Sequence, residues 1–237
     1  MSAGSVRPDA GKARGMDAVT LGQAGPEVSR VGLGLMGMSG TYGPADRTES
    51  IATIRAALEA GITLLDTGDF YGMGHSELLL AEALRGVRRD SVFIEVKFGA
   101  QRDPGGAFMG YEASPGAVKT ALAYSLQRLG TDYVDLYQPA RLDPDVPIED
   151  TVGAIAEMVR AGYVRYIGLS EMGAGTIERA RAVHPICRPA DRILPDEPRY
   201  RGGDPACRAG SRHVGNRLWR AVSRPAVGQH RTGRWHR

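Results

Sequence analysis

An α/β fold of parallel strands joined by crossover helices is predicted by two features of residues 31–186. Short apolar runs of strand length recur there, and helical patterns with clear start and stop residues separate them. A third feature is a break in composition near residue 187. Residues 1–186 carry 18 Lys and Arg against 23 Asp and Glu, whereas residues 187–237 carry 12 Arg, no Lys and four acids. The formal net charge of +3 therefore hides an acidic body and a basic end, which need separate explanations.

The elements follow in order. Residues 31–35 form a weak first strand, softened by Gly32 and Gly34. Ile51, Ile54 and Leu58 line one face of a helix that Gly61 ends. Residues 62–66 and 92–96 are the second and third strands. Ser114 and Pro115 are an N-cap and a first helical residue; Val118, Leu122, Leu126 and Leu129 then share a face, and Gly130 stops the helix. Residues 133–137 are the fourth strand. Pro147 opens a helix with Val152, Ile155 and Val159 inside and Gly162 at its end, and residues 164–169 are the fifth strand.

Two architectures take such an alternation, an open doubly wound sheet and a (β/α)8 barrel. The open dinucleotide-binding sheet requires a G-x-G-x-x-G turn between its first strand and a helix. Gly32, Gly34 and Gly37 have that spacing, but residues 39–44 read as loop. The barrel is preferred because polar residues gather where strands end: Asp66, Lys97, Gln138 with Arg141, and Ser170 with Glu171. Barrel enzymes keep their chemistry at the C-terminal ends of the strands.

The 237 residues suffice for one ordinary domain, with 42% apolar and 24% charged residues. No run approaches eighteen apolar residues, so no membrane partner is expected. Residues 1–17 hold Arg7, Lys12 and Arg14 without an apolar core, which reads as a disordered tail and not a signal peptide. Cys187 and Cys207 suggest neither a disulfide framework nor a zinc site, and no metal is expected. The expected compartment is the cytoplasm. His75 and His184 read as loop and helix-end residues, and the Arg88-Arg89 pair as a solvated helix end.

The most specific stretch is Leu64-Leu65-Asp66-Thr67-Gly68-Asp69-Phe70-Tyr71-Gly72-Met73-Gly74-His75-Ser76-Glu77. Three more segments accompany it: Val92-Phe93-Ile94-Glu95-Val96-Lys97, Leu129-Gly130-Thr131-Asp132-Tyr133-Val134-Asp135-Leu136-Tyr137, and Gly162-Tyr163-Val164-Arg165-Tyr166-Ile167-Gly168-Leu169-Ser170-Glu171. In order and spacing they resemble the second to fifth strands of the aldo-keto reductases, over about residues 18–186. The resemblance implies hydride transfer from NADPH to a small aldehyde or ketone. Tyr71 would donate the proton, Lys97 would stabilise the phenolate, and Asp66 would pair with Lys97. Gly34 and Met36 would approach the nicotinamide, with Asp66 also at the cofactor. Ser170 would bind the carboxamide, and Glu171 stands where many members have Asn. A phenol ionises only near pH ~10, so the nearby ammonium is the physical requirement. A lysine ending an apolar strand needs a carboxylate partner for its own reasons.

One position departs from the family. Many members carry His within Tyr-Gln-x-His-Arg at the fourth strand, whereas this chain reads Tyr137-Gln138-Pro139-Ala140-Arg141. Arg141 or Gln138 is the candidate replacement for the hydrogen bond that the histidine gives the carbonyl.

The last 51 residues look like another reading frame. Where the family enters its sixth strand, this chain reads Cys187-Arg188-Pro189-Ala190-Asp191-Arg192-Ile193-Leu194-Pro195. Codons are free to choose, and TGC CGA CCT GCA GAT CGA ATA CTC CCT is one set that encodes it. One base later, the same letters give Ala-Asp-Leu-Gln-Ile-Glu-Tyr-Ser, which resembles that sixth strand. The same shift within residues 214–223 permits Thr-Ala-Tyr-Gly-Val-Leu-Ser, resembling the seventh. The expectation is a partial barrel of about five strands over 18–186, followed by a foreign, irregular basic tail, with activity impaired. The alternative is a non-catalytic or defective fragment of the reductase scaffold. A nucleic-acid arm is disfavoured, since the arginines are scattered among Pro and Gly instead of lining a face.

Overall fold

A computed structural model describes residues 16–22 and 25–190. Strands β1 (Ala18–Thr20) and β2 (Glu27–Ser29) form an antiparallel hairpin. The main alternation then runs β3 (Gly32–Gly34), α1 (Arg47–Glu59), β4 (Leu64–Gly68), α2 (His75–Ala83) and β5 (Phe93–Phe98). A second hairpin, β6 (Ala100–Arg102) with β7 (Phe108–Tyr111), interrupts it. It resumes with α3 (Pro115–Leu129), β8 (Val134–Pro139), α4 (Ile148–Arg160), β9 (Val164–Ser170), α5 (Ala174–Val183) and β10 (Arg188–Ala190). The sheet order is β10-β9-β8-β5-β4-β3, all parallel.

The helix signals act locally as their chemistry requires. Ser114 caps α3 by accepting from Ala117 N, Pro115 fills the first turn, and Gly130 closes the helix at φ 64. Asp46 caps α1 by accepting from Glu49 N. Pro147 precedes α4 as its cap position instead of its first residue.

Strand alternation sorts the sheet into two faces. Leu65, Ile94, Val96, Tyr137, Ile167 and Leu169 pack outward under the helices in one large core. The other face turns inward in two layers. Leu64, Phe93 and Leu136 form the lower layer, with Tyr166 against them and Leu21 and Val28 of the first hairpin beneath. Two residues further along each strand, the inward positions become Asp66, Glu95, Gln138 and Gly168. The apolar floor thus carries a polar layer, and that layer holds the site.

The sequence missed both hairpins and α2. The hairpins are short, and α2 is apolar round most of its circumference, so its period is faint. The five expected strands are present as β3, β4, β5, β8 and β9, displaced by one or two residues. The expectation of an irregular chain from 187 onward is corrected at residues 188–190, which extend the sheet as β10. Cys187 N leads in by donating to Ile167 O at 2.9 Å. Residues 1–15 of the expected N-terminal tail, and residues 191–237 of the basic end, lie outside the described residues.

Leu136 is fully buried in the floor. Leu136→Ala is expected to lower unfolding free energy by about 2–5 kcal/mol in urea titrations. A loss below about 1 kcal/mol means the floor is not packed as described.

Candidate active site

Lys97 and Asp66 meet in an ion pair across β5 and β4. Asp66 lies opposite Glu95, and Lys97 one step further along, opposite Gly68. The ammonium therefore reaches back toward both carboxylates, and Glu95 Oε1 stands 3.9 Å from Lys97 Nζ. Burial would push the Lys97 ammonium down. The charges of Asp66, then Glu95 and Tyr71, overturn that effect and hold it well above the ordinary lysine value.

Tyr71 is buried in the turn that follows β4. That turn is held by Tyr71 N donating to Gly68 O and by Asp69 N donating to Lys97 O, at 3.1 and 2.9 Å. Phe70 packs edge-on against the Tyr71 ring at 4.8 Å. Burial raises the phenol's pKa far above its usual value; Lys97 opposes this by charge and hydrogen bonding, while Asp66 and Glu95 reinforce it. The structure thus brings the three predicted residues Asp66, Tyr71 and Lys97 together.

The remaining predicted residues ring them. Gly34 ends β3 opposite Asp66. Met36 begins a 3-10 turn over residues 36–39, and Tyr42 Oη donates to its sulfur at 3.6 Å. No α-helix follows the Gly32-Gly34-Gly37 spacing until Arg47, so the G-x-G-x-x-G reading falls. Ser170 is buried at the end of β9. Glu171, the next residue, has φ 51 and pairs with Arg141 at 2.7 Å. Ala140 is buried at the end of β8, its N–H donating to Phe98 O at 2.8 Å. Gln138 is fully buried and its amide nitrogen donates to Glu95, whereas Arg141 is half-buried and pairs with Glu171.

The Arg88-Arg89 pair is not a solvated helix end throughout. Arg88 is exposed, but Arg89 donates to Tyr133 O at 3.0 Å and to Asp135 at 2.6 Å, and stacks 4.0 Å from the Tyr133 ring. His75 starts α2 with Nδ1 3.2 Å from Ser39 Oγ, and His184 ends α5. Sequence reasoning gave no role to Asp69, Glu77 and Arg128. Glu77 is fully buried, paired with Arg128, and shares its surroundings with Asp69. The available signal was a pair of acids one and nine residues beyond the end of strand β4. Among the described residues, no cluster of His, Cys, Asp and Glu could hold a metal ion, and no helix is long and apolar enough to cross a membrane.

Comparison with known proteins identifies the family. A sequence profile of the aldo/keto reductase family matches residues 30–191. The chain is 45% identical over 170 residues to a probable aldo-keto reductase of Glycine max, covering 71% of this chain and 49% of that protein. It therefore spans about half the length of that curated relative. A thermostable aldo-keto reductase solved with the inhibitor epalrestat superposes with a TM-score of 0.64 at 34% identity, covering 73% of this chain and 61% of that one. The holo form of an aldo-keto reductase from Bacillus halodurans gives 0.65 at 33% identity, covering 72% and 55%. A Klebsiella pneumoniae aldo/keto reductase in complex with NADP and acetate gives 0.55 at 30% identity, covering 65% and 49%. The chain belongs to the aldo-keto reductase family, whose members are generally NADP-dependent carbonyl reductases, and its fold is of the (β/α)8 barrel type.

Burial pushes the Asp69 carboxyl up to about 7, with Glu77 adding to the rise. Arg128 and the backbone N–H groups of Gly99 and Phe70 pull it back. Its Oδ1 is buried without a hydrogen-bond partner. The folded state then keeps a proton that the unfolded chain loses near pH ~4. Folding stability contributed by this group falls as pH rises from about 4 to about 7, by roughly 1.4 kcal/mol per unit. Asp69→Asn removes that slope. Melting temperatures from pH 4 to 8 are expected to favour the variant progressively toward the alkaline end. Parallel curves for the two proteins contradict the assignment.

Proposed function

We propose that this chain is an NADPH-dependent carbonyl reductase by descent, with Tyr71 as proton donor, and that its own activity is impaired. The observation that carries the reading is Tyr71 buried beside a lysine that two carboxylates hold charged. The donor set at the strand ends fits the nicotinamide end of a dinucleotide. Gly34 presents open backbone, where an added Cβ meets nothing within 4 Å, and Ser170 offers a hydroxyl. Met36 and Glu171 complete this edge, together with Asp66 below it. NADPH, when bound, supplies the hydride that adds to the carbonyl carbon.

The chain's residues do the rest. Tyr71 Oη–H donates to the carbonyl oxygen, polarising it, and transfers its proton as the alkoxide forms. The resulting phenolate stays beside the Lys97 ammonium, which offsets its charge. Asp66 fixes that ammonium and keeps it protonated. With Ala140 where many relatives have His, Arg141 is the side chain that supplies a second hydrogen bond to the carbonyl oxygen. The substrate is a small aldehyde or ketone, and the cytoplasm is the working compartment.

Impairment follows from the tail. The family match stops at residue 191, the composition changes at 187, and suitably chosen codons read one base later permit family-like strands. We attribute the region after 187 to a changed reading frame, which leaves residues 18–186 as the inherited partial barrel. A closed barrel needs strand number, tilt and stagger to agree, and its inward side chains pack in layers from strands all round. The second reading, a non-catalytic fragment, draws on the same break. Nucleotide sequencing across codon 187 checks the frame: an intact family-like sequence one base out supports it, and its absence there contradicts it.

NADPH fluorescence titration, followed by NADPH consumption with nitrobenzaldehyde, separates the readings. Weak binding with slow turnover supports the impaired reductase, while folded protein without binding supports the fragment. Tyr71→Phe is expected to lower any turnover at least about 100-fold. Arg141→Ala is expected to lower it about 10-fold. Turnover unchanged in Tyr71→Phe removes the assigned chemistry.

A further inference from the structure

Strand alternation puts Glu95 on the same inward face of β5 as Lys97. It is 1% exposed. Its Oε1 lies 3.9 Å from the ammonium and accepts from Gln138 Nε2 on β8. Gln138 fits there because β9 carries glycine beside it. A Cβ on Gly168 would stand 2.8 Å from Gln138 Oε1 and 2.6 Å from Leu136 Cδ2. Three adjacent strands are therefore fitted together so that one buried carboxylate faces the lysine from behind. Burying a second carboxylate is costly unless its charge is used, and an apolar side chain of similar size would pack there without that cost.

The ammonium is thus addressed from three sides: by Asp66 of β4, by Glu95 of its own strand, and by the Tyr71 phenol. Asp66, Glu95 and Lys97 are the charged groups acting on that phenol among the described residues, and Gln138, from β8, is neutral. Both carboxylates favour the ammonium, and both disfavour a phenolate beside it.

We propose that Glu95 is a second counter-ion of Lys97 and a positioning residue, one that draws the ammonium toward β5 in competition with the Tyr71 phenolate. It lowers the acidity that Lys97 alone would confer on the phenol, and Gln138 holds it in register. This deepens the assignment of Tyr71 as proton donor and rests on it.

The test needs neither cofactor nor turnover. A trifluorinated tyrosine is installed at position 71, so that the phenol ionises in an accessible range, and phenolate absorbance is titrated in the full chain. Glu95→Gln keeps the side-chain shape and the bond to Gln138 while removing the charge. Its phenol is expected to titrate about one pH unit or more lower than the parent. Glu95→Asp, which keeps the charge, is expected to return most of that shift. If circular dichroism shows that Glu95→Gln does not fold, Glu95→Ser is titrated instead, with the same downward shift expected. A titration that coincides with the parent in the folded variant overturns the proposal. So does an equal shift in Glu95→Asp. Failure of the parent assignment is read elsewhere, from Tyr71→Phe retaining turnover, and does not move this titration.

Discussion

An ammonium placed on the inward face of a strand, above an apolar floor, cannot stay charged by itself. Desolvation favours loss of its proton, and only carboxylates fixed within a few ångströms reverse that preference. The site of this chain is organised around meeting that condition for Lys97. Asp66 approaches from β4, Glu95 from two residues back along β5, and the phenol of Tyr71 shares the charge that results. The strand register, the turn after β4 and the glycine on β9 all serve this arrangement.

The two-layer interior explains how so small a number of residues makes a site. Each inward strand position in the lower layer is large and apolar, as with Leu64, Phe93 and Leu136, and the β1–β2 hairpin seals it from below. One pleat higher the same strands present Asp66, Glu95 and Gln138, with Lys97 a further pleat along β5 and Ser170 at the end of β9. The layer beneath is apolar, and the polar groups face the strand ends. The Tyr71 turn closes on this layer through the Asp69 and Tyr71 backbone bonds. Glu77 and Arg128 brace it from the outer side, between α2 and α3.

Much of this was legible in the sequence because it depends on local periodicity. The strands β4, β5, β8 and β9 are apolar runs, and Ser114-Pro115 with Gly130 bounds α3 by capping chemistry alone. Asp66, Tyr71 and Lys97 could be named from the motif that surrounds them. Glu95 was quoted in that motif without a role, although period-two alternation already places it on the face of Lys97. Its burial depends on Gln138 and Gly168, which lie 43 and 73 residues away and become neighbours only through the sheet. Asp69, Glu77 and Arg128 escaped for the same reason: α2 and α3 bring them together. Arg89 was read as solvated because a basic pair after a helix usually is. The Tyr133 ring and the Asp135 carboxylate that claim it come from β8 and the turn before it.

The central claim is that Lys97 is a compensated, permanently charged ammonium in the barrel interior. The chain has only three lysines, Lys12, Lys97 and Lys119, so selective 15N labelling with assignment by Lys97→Met isolates its Nζ resonance. Following that resonance through an alkaline titration measures the charge directly. The account predicts that the ammonium shift persists above the ordinary lysine range of about 10.4. Deprotonation at or below that range would show that Asp66 and Glu95 do not hold the charge, and the arrangement built on it would not stand.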